Sequence, residues 1–190
     1  MRTIFQEKAM DPSGLLKKYF TGDGQSFEIV FEHSRMVACK AVRIARNLNA
    51  PLLDLRFIEE ASMLHDIGVS LTHAPKIGCK GKAPYLSHGF LGRKILDAEG
   101  LHAHALVCER HIGVGITLED IERQRLQIPK RNMSPVSLAE KIICFADLFY
   151  SKRPGLLQSE KTVAQVKENL ARHGEQKVAI FESWLLEFGR

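Results

Sequence analysis

Apolar residues recur at helical spacing along almost the whole chain, and no stretch alternates apolar and polar residues as a half-buried strand does. Helices with a single apolar stripe must bury it against one another, so the pattern confines the chain to an all-α fold. Asp11-Pro12 places an N-cap and a first-turn proline before a short helix through Phe20, which Thr21-Gly22-Asp23-Gly24 ends. A long helix runs from about Ser26 to Asn49, with Val30, Val37, Ala41, Ile44 and Leu48 on its stripe, and Pro51 stops it. Asp54 caps the next, which turns Phe57, Ile58, Ala61, Leu64 and His65 inward and is terminated by Gly68. Val69 to Leu86 reads as a loop. Ser87 then caps a helix to about Glu99, a further helix spans about Leu101 to Ile112, and Thr117 caps a short charged one to Leu126. After a basic loop from Ile128 to Pro135, Ser137-Leu138-Ala139-Glu140 reads as a capping box opening an apolar helix to about Tyr150. Two amphipathic helices follow Pro154-Gly155, over about Ser159–Arg172 and Glu175–Phe188. The expectation is one bundle of about eight helices.

A chain of 190 residues is long enough to bury a core without disulfide or metal staples. Its four cysteines, Cys39, Cys79, Cys108 and Cys144, are widely spaced, which speaks against a zinc ribbon or a Cys-x-x-Cys redox motif. Met1 to Lys8 holds no apolar run, so no signal peptide is expected, and no stretch approaches the ~20 apolar residues of a membrane span. The expected compartment is the cytoplasm, with no membrane contact. The formal net charge of +5 favours anionic partners such as phosphates or nucleotides.

Against this apolar background stand six polar residues that periodicity places on buried faces or at helix ends: His33, His65, Asp66, His88, His111 and Asp147. Except for the adjacent pair, each comes from a different helix. One such residue is usually a hydrogen-bonded core histidine. Six would each need a separate partner, or each would cost about 1–3 kcal/mol. A shared divalent metal centre satisfies them together, since imidazole nitrogen and carboxylate oxygen are both ligands for Zn, Fe or Mn.

Leu64-His65-Asp66-Ile67-Gly68 and the order His, His-Asp, His, His, Asp resemble the HD superfamily of metal-dependent phosphohydrolases, in its two-metal subgroup. The resemblance covers roughly Phe27 to Lys152. It implies a metal-binding core over 27–152, a helical extension over 1–26, and a C-terminal helical pair over 153–190 that packs on the core. It further implies that His33, His65, Asp66 and Asp147 hold a first ion, and that Asp66 bridges to a second held by His88 and His111. The implied cofactors are two divalent ions, Fe or Mn first, with Mg, Ni, Co or Zn allowed.

The function this implies is hydrolysis of a phosphomonoester or nucleotide-like phosphoester, with Asp66 as the bridging catalytic carboxylate. Lys76, Lys80, Lys82 and Arg93 lie in a stretch from Val69 to Leu96 that holds no acidic residue, and they are candidates for substrate phosphate. Lys130 and Arg131 form a second candidate cluster. Lys141, six residues before Asp147, and His104, on the helix of His111, are the further catalytic candidates. Two other functions share the same ligands: an HD-fold di-iron oxygenase, and a nucleotide- or RNA-binding module that keeps its metal site. Nucleic acid is an allowed partner, but no aromatic-interleaved basic motif supports it. The Trp184-Leu185-Leu186 stripe reads as core or as a homodimer contact.

Overall fold

The computed structural model describes residues 10–22, 24–48 and 50–189. Met1 to Lys8, Asp23 of the first turn and the expected helix end at Asn49 lie outside them. Nine α-helices carry the described chain: α1 (Pro12–Tyr19), α2 (Gln25–Asn47), α3 (Leu55–Leu64), α4 (His88–Ala98), α5 (His102–Arg110), α6 (Leu118–Gln124), α7 (Leu138–Leu148), α8 (Val163–Ala171) and α9 (Glu175–Phe188). The fold is all-α, as the periodicity requires. Among the described residues no helix is long and apolar enough to cross a membrane.

Most helix starts follow from side-chain caps. Asp11 accepts from the Gly14 amide at 2.9 Å and Asp54 from the Phe57 amide at 3.0 Å. Ser137 caps α7 through the Glu140 amide, but the reciprocal half of the expected box does not form. The Glu140 carboxylate instead accepts from the Val136 amide at 2.8 Å and pairs with Arg110 at 3.1 Å. Full capping boxes close at Thr117–Asp120 and Thr162–Gln165. The second places the start of α8 at Val163 rather than near Ser159. The residues before it are held as turns, because the Lys161 amide donates to the Phe149 carbonyl and its ammonium to the Leu148 and Tyr150 carbonyls.

Two further differences concern the segment after α3. That helix ends at Leu64 with His65 as C-cap, and Gly68 sits in a 3-10 turn, Ile67–Leu71. Gly68 is required there for close approach: a Cβ would stand 2.1 Å from the His88 carbonyl oxygen and 2.4 Å from the Gly92 amide nitrogen, both backbone atoms of α4. The stretch expected to be a plain loop forms 3-10 turns and an antiparallel pair of two-residue strands, β1 (His73–Ala74) and β2 (Cys79–Lys80). Gly78, with φ +80°, permits the tight reversal between them.

The core falls into two apolar clusters. One gathers Val37, Ile58, Ile142, Phe145, Phe181 and Trp184, with Phe145 packed on Phe149, Phe181 and Phe188. Burying each of these aromatic rings contributes about 1.5–3 kcal/mol. Its members on α8 and α9 tie the C-terminal pair to α7. Trp184 is thus core, while Leu186 is exposed. The other cluster gathers Leu16, Phe20, Val30, Leu64, Leu96 and Cys108. Along α2, Val30 belongs to one cluster, Val37 to the other, and the buried His33 lies between them. Among the described residues no cysteine is in a disulfide, and three of the four are buried.

Candidate metal centre

Six side chains converge at the seam between the clusters. His33 projects from the middle of α2, Asp147 from the last turn of α7, and His88 opens α4. His65 and His111 are the C-cap residues of α3 and α5, and Asp66 follows His65. All but Asp147 are buried, and Asp66 and His65 are wholly so.

The two carboxylate oxygens of Asp66 face different partners. Oδ2 lies 3.2 Å from His33 Nε2 and 3.1 Å from His65 Nε2. Oδ1 lies 3.5 Å from His88 Nε2 and 3.6 Å from His111 Nε2. Asp147 Oδ1 closes the first group, at 3.0 Å from His33 and 3.5 Å from His65. Three sets of donors therefore stand within metal-binding reach: His33 with His65 and Asp66, His65 with His111 and Asp147, and Asp66 with His88 and His111.

Local geometry fixes three of the rings. His65, His88 and His111 each direct Nδ1 to the carbonyl three residues earlier, of Ser62, Tyr85 and Cys108, at 2.6, 2.7 and 2.7 Å. A carbonyl only accepts, so the proton sits on Nδ1 and the Nε2 lone pair points inward. His88 and His111 then present lone pairs to each other at 3.1 Å, an arrangement that calls for a cation or a proton between them. His33 Nε2, His65 Nε2 and both Asp66 oxygens are buried without a hydrogen bond of adequate geometry. Such atoms are costly to leave unpaired, and imidazole nitrogens with carboxylate oxygens are the donor set that a divalent transition metal takes. The residues fit a metal centre.

Lys152 is the one lysine or arginine with an ion pair to this cluster among the described residues, with Nζ 2.5 Å from Asp66 Oδ2 and its tip within hydrogen-bonding reach of Tyr85. Burial would raise the Asp66 pKa, but the charges of Lys152 and His65 hold it well below the usual carboxylate range. Burial would likewise favour neutral His65, but Asp66 and Asp147 push its pKa up to about 10, so the same carboxylates favour positive charge at Nε2, where a metal would take the place of a proton. For His88 burial prevails and takes the pKa down to about 3. Asp147 and Lys152 also line a cavity of about 430 Å³ beside the cluster.

The other sequence candidates lie elsewhere. Arg93 and Arg131 both pair with the buried Glu109, Arg131 through Nε at 2.9 Å and also through Nη2, and together they tie α4, α5 and the basic loop. Lys76, Lys82 and Lys130 are exposed, and Lys80 borders a separate surface hollow with Tyr19 and Phe20. His104 packs edge-on against Phe57, 3.5 Å from Glu60. None of these residues, nor Lys141, lines the cavity beside the cluster among the described residues. Sequence reasoning missed Lys152, whose signal was its place five residues after Asp147 in the turn that leaves α7. It also missed the Cys108 thiol, which donates to the His65 carbonyl at 2.9 Å and holds that C-cap in place.

A centre of this kind, built from a His-Asp pair, three further histidines and a late aspartate in a helical bundle, defines a class of protein. The HD domain family matches residues 30–151, and the chain belongs to this family of metal-dependent hydrolases. Among curated proteins it is similar to an uncharacterized protein of Methanocaldococcus jannaschii, 35% identical over 131 residues, covering 66% of this chain and 70% of that protein. It is also similar to a tRNA (cytidine(56)-2'-O)-methyltransferase of Thermoplasma volcanium, 30% identical over 167 residues, covering 87% of this chain and 41% of that protein. The corresponding protein of Picrophilus torridus is 28% identical over 144 residues, covering 70% of this chain and 38% of that one. The chain thus spans about two fifths of the length of these two methyltransferases. No solved structure gives a significant match.

Proposed function

We propose that the chain is a metal-dependent phosphohydrolase that cleaves a phosphomonoester with two divalent ions, Fe or Mn first. The observation that carries this is the division of the Asp66 carboxylate, with Oδ2 toward His33 and His65 and Oδ1 toward His88 and His111. Divalent ions there would supply Lewis acidity toward a phosphoryl oxygen and make water acidic enough to react at neutral pH. His33, His65 and Asp147 form one set of ligands with Asp66, and His88 and His111 the other. The Nδ1–carbonyl bonds hold three of the rings with their lone pairs inward, which cuts the reorganisation needed when metal and substrate arrive. Lys152, at the edge of the cavity, is the cation proposed to meet substrate phosphate, in place of Lys141 and the loop lysines. The methyl transfer named for two relatives is not carried over, because the His/Asp set supports hydrolysis.

The test is phosphate release from a panel of phosphomonoesters by protein loaded with Mn or Fe, with and without O₂. The expected outcome is metal-dependent release without O₂ uptake, abolished in His33→Ala and reduced at least tenfold in Lys152→Met. O₂ uptake with no phosphate released would favour the oxygenase reading instead.

A further inference from the structure

The cavity beside the cluster is built on its far wall by parts of the chain beyond residue 151, where the family match ends. Val166, Asn169 and Leu170 of α8 and Lys177 of α9 face Val114 and Ile116 of the turn after α5 across it. Its volume is in the range of small-molecule sites. Three lysines line it, but two are held by the fold. Lys161 Nζ donates to the Leu148 and Tyr150 carbonyls at 3.0 Å, and Lys177 Nζ lies 2.8 Å from the Gly115 carbonyl and 2.5 Å from Asp120. Lys152 is also paired, with Asp66, but it lies at the cluster itself, so the positive charge the cavity offers an incoming anion is confined to that end. The rest of the wall is mainly apolar, with Tyr150, His173 and the exposed Gln124 and Asn169 among its polar residues.

We infer that α8, α9 and the 112–116 turn form a leaving-group subsite for a phosphomonoester that carries a single phosphate on an uncharged, ring-bearing alcohol, with Asn169 and Gln124 reading a hydrogen-bonding edge of the ring. The inference rests on the phosphohydrolase reading for the word leaving group, and on the cavity alone for the ligand. Positive charge gathered at one end of the cavity suits a single phosphate there. A polyphosphate would bring several negative charges to a wall whose other two lysines are already bonded within the fold. A free sugar would place many hydroxyls against apolar side chains, where each lacks a partner. A flat ring instead gains from burial against Val114, Ile116 and Leu170.

Two measurements test this. Kinetics with Mn-loaded protein would compare adenosine 5'-monophosphate and p-nitrophenyl phosphate with glucose 6-phosphate and ATP. The first two should have kcat/KM at least tenfold above the last two. Asn169→Leu, at an exposed position, should raise KM for adenosine 5'-monophosphate about tenfold, leave its kcat unchanged, and leave KM for p-nitrophenyl phosphate within about twofold, the loss expected for one hydrogen bond. Separately, NMR titration of metal-free protein with adenosine should shift resonances of α8 and the 112–116 turn, and Asn169→Leu should weaken that binding. Equal turnover of ATP or glucose 6-phosphate, or adenosine shifts confined to other surfaces, would overturn the subsite. Phosphate release from none of the four would remove the phosphohydrolase reading, and the adenosine titration would still decide the cavity.

Discussion

Replacing His111 by alanine separates the two halves of the proposed centre. His111 stands 3.6 Å from Asp66 Oδ1 and 3.1 Å from His88 Nε2, so its removal takes one of three donors from the group formed by Asp66, His88 and His111. The other group keeps His33, His65, Asp66 and Asp147. Loss of a mere outer-shell partner of a metal ligand costs about 10–100-fold in affinity, so loss of a ligand itself is set at about 100-fold, or about 2.7 kcal/mol. At free metal tenfold above the wild-type Kd, a site that is about 90% filled drops to about 10% after such a change. Metal content by mass spectrometry after equilibrium dialysis should therefore fall from about 1.8 to about 1.0 ions per chain in His111→Ala. Asp66→Asn offers a single carbonyl oxygen where both groups use a carboxylate oxygen, and should fall to about 0.2. A His111→Ala protein that keeps the wild-type content, or that loses both ions together, would refute the division into two groups.

Three further outcomes follow from the surrounding fold. Lys177→Met leaves the buried Asp120 carboxylate without its ammonium partner; such a break costs about 3–5 kcal/mol. Thr117 and Arg123 still bond Asp120, so the lower figure applies, and at 2–4 °C per kcal/mol the Tm by scanning calorimetry should fall by about 6–12 °C. Burial would raise the Asp120 pKa, but the hydrogen bonds from Lys177 and Thr117 hold it below 3.8. A carboxyl lowered in the folded state adds stability above its unfolded pKa and loses it as pH falls through the folded value. The stability gap between wild type and Asp120→Asn in urea should thus be widest at pH 5 and narrow below pH 3.8. Gly68→Ala would drive a methyl group into the backbone of α4 at the His88 carbonyl, costing about 1–3 kcal/mol and displacing His88. It should lower Tm and, in the dialysis assay, lose one ion in preference to the other.

Much of this centre was legible because its residues break a pattern. A histidine on the stripe of α2, between Val30 and Val37, has no reason to be buried unless something binds it, and the same holds for His65 and His111 at helix ends. Spacing could locate those positions because helical periodicity converts sequence distance into a face. The cation of the site was not legible that way. Lys152 lies in the turn after α7, where no period fixes direction, and only the tertiary path brings it to Asp66. The arginines failed for the opposite reason: the sequence shows an acid-free stretch around Arg93, but the acid that holds it, Glu109, arrives from the next helix. The start of α8 escaped for a related reason, since Lys161 is tied to carbonyls of the turn after α7 rather than to its own helix. Gly68 was legible as a necessary glycine, though its reason is the nearness of α4 and not a left-handed cap.

The most direct test of the central claim is the metal content of wild-type protein purified without oxygen or added metal, measured per chain by mass spectrometry. About two ions of Fe or Mn per chain is the result expected of an Asp66 carboxylate shared between two sets of histidines. One ion per chain, retained unchanged in His88→Ala and His111→Ala, would contradict it, and would leave those two rings as neighbours of a single-metal site.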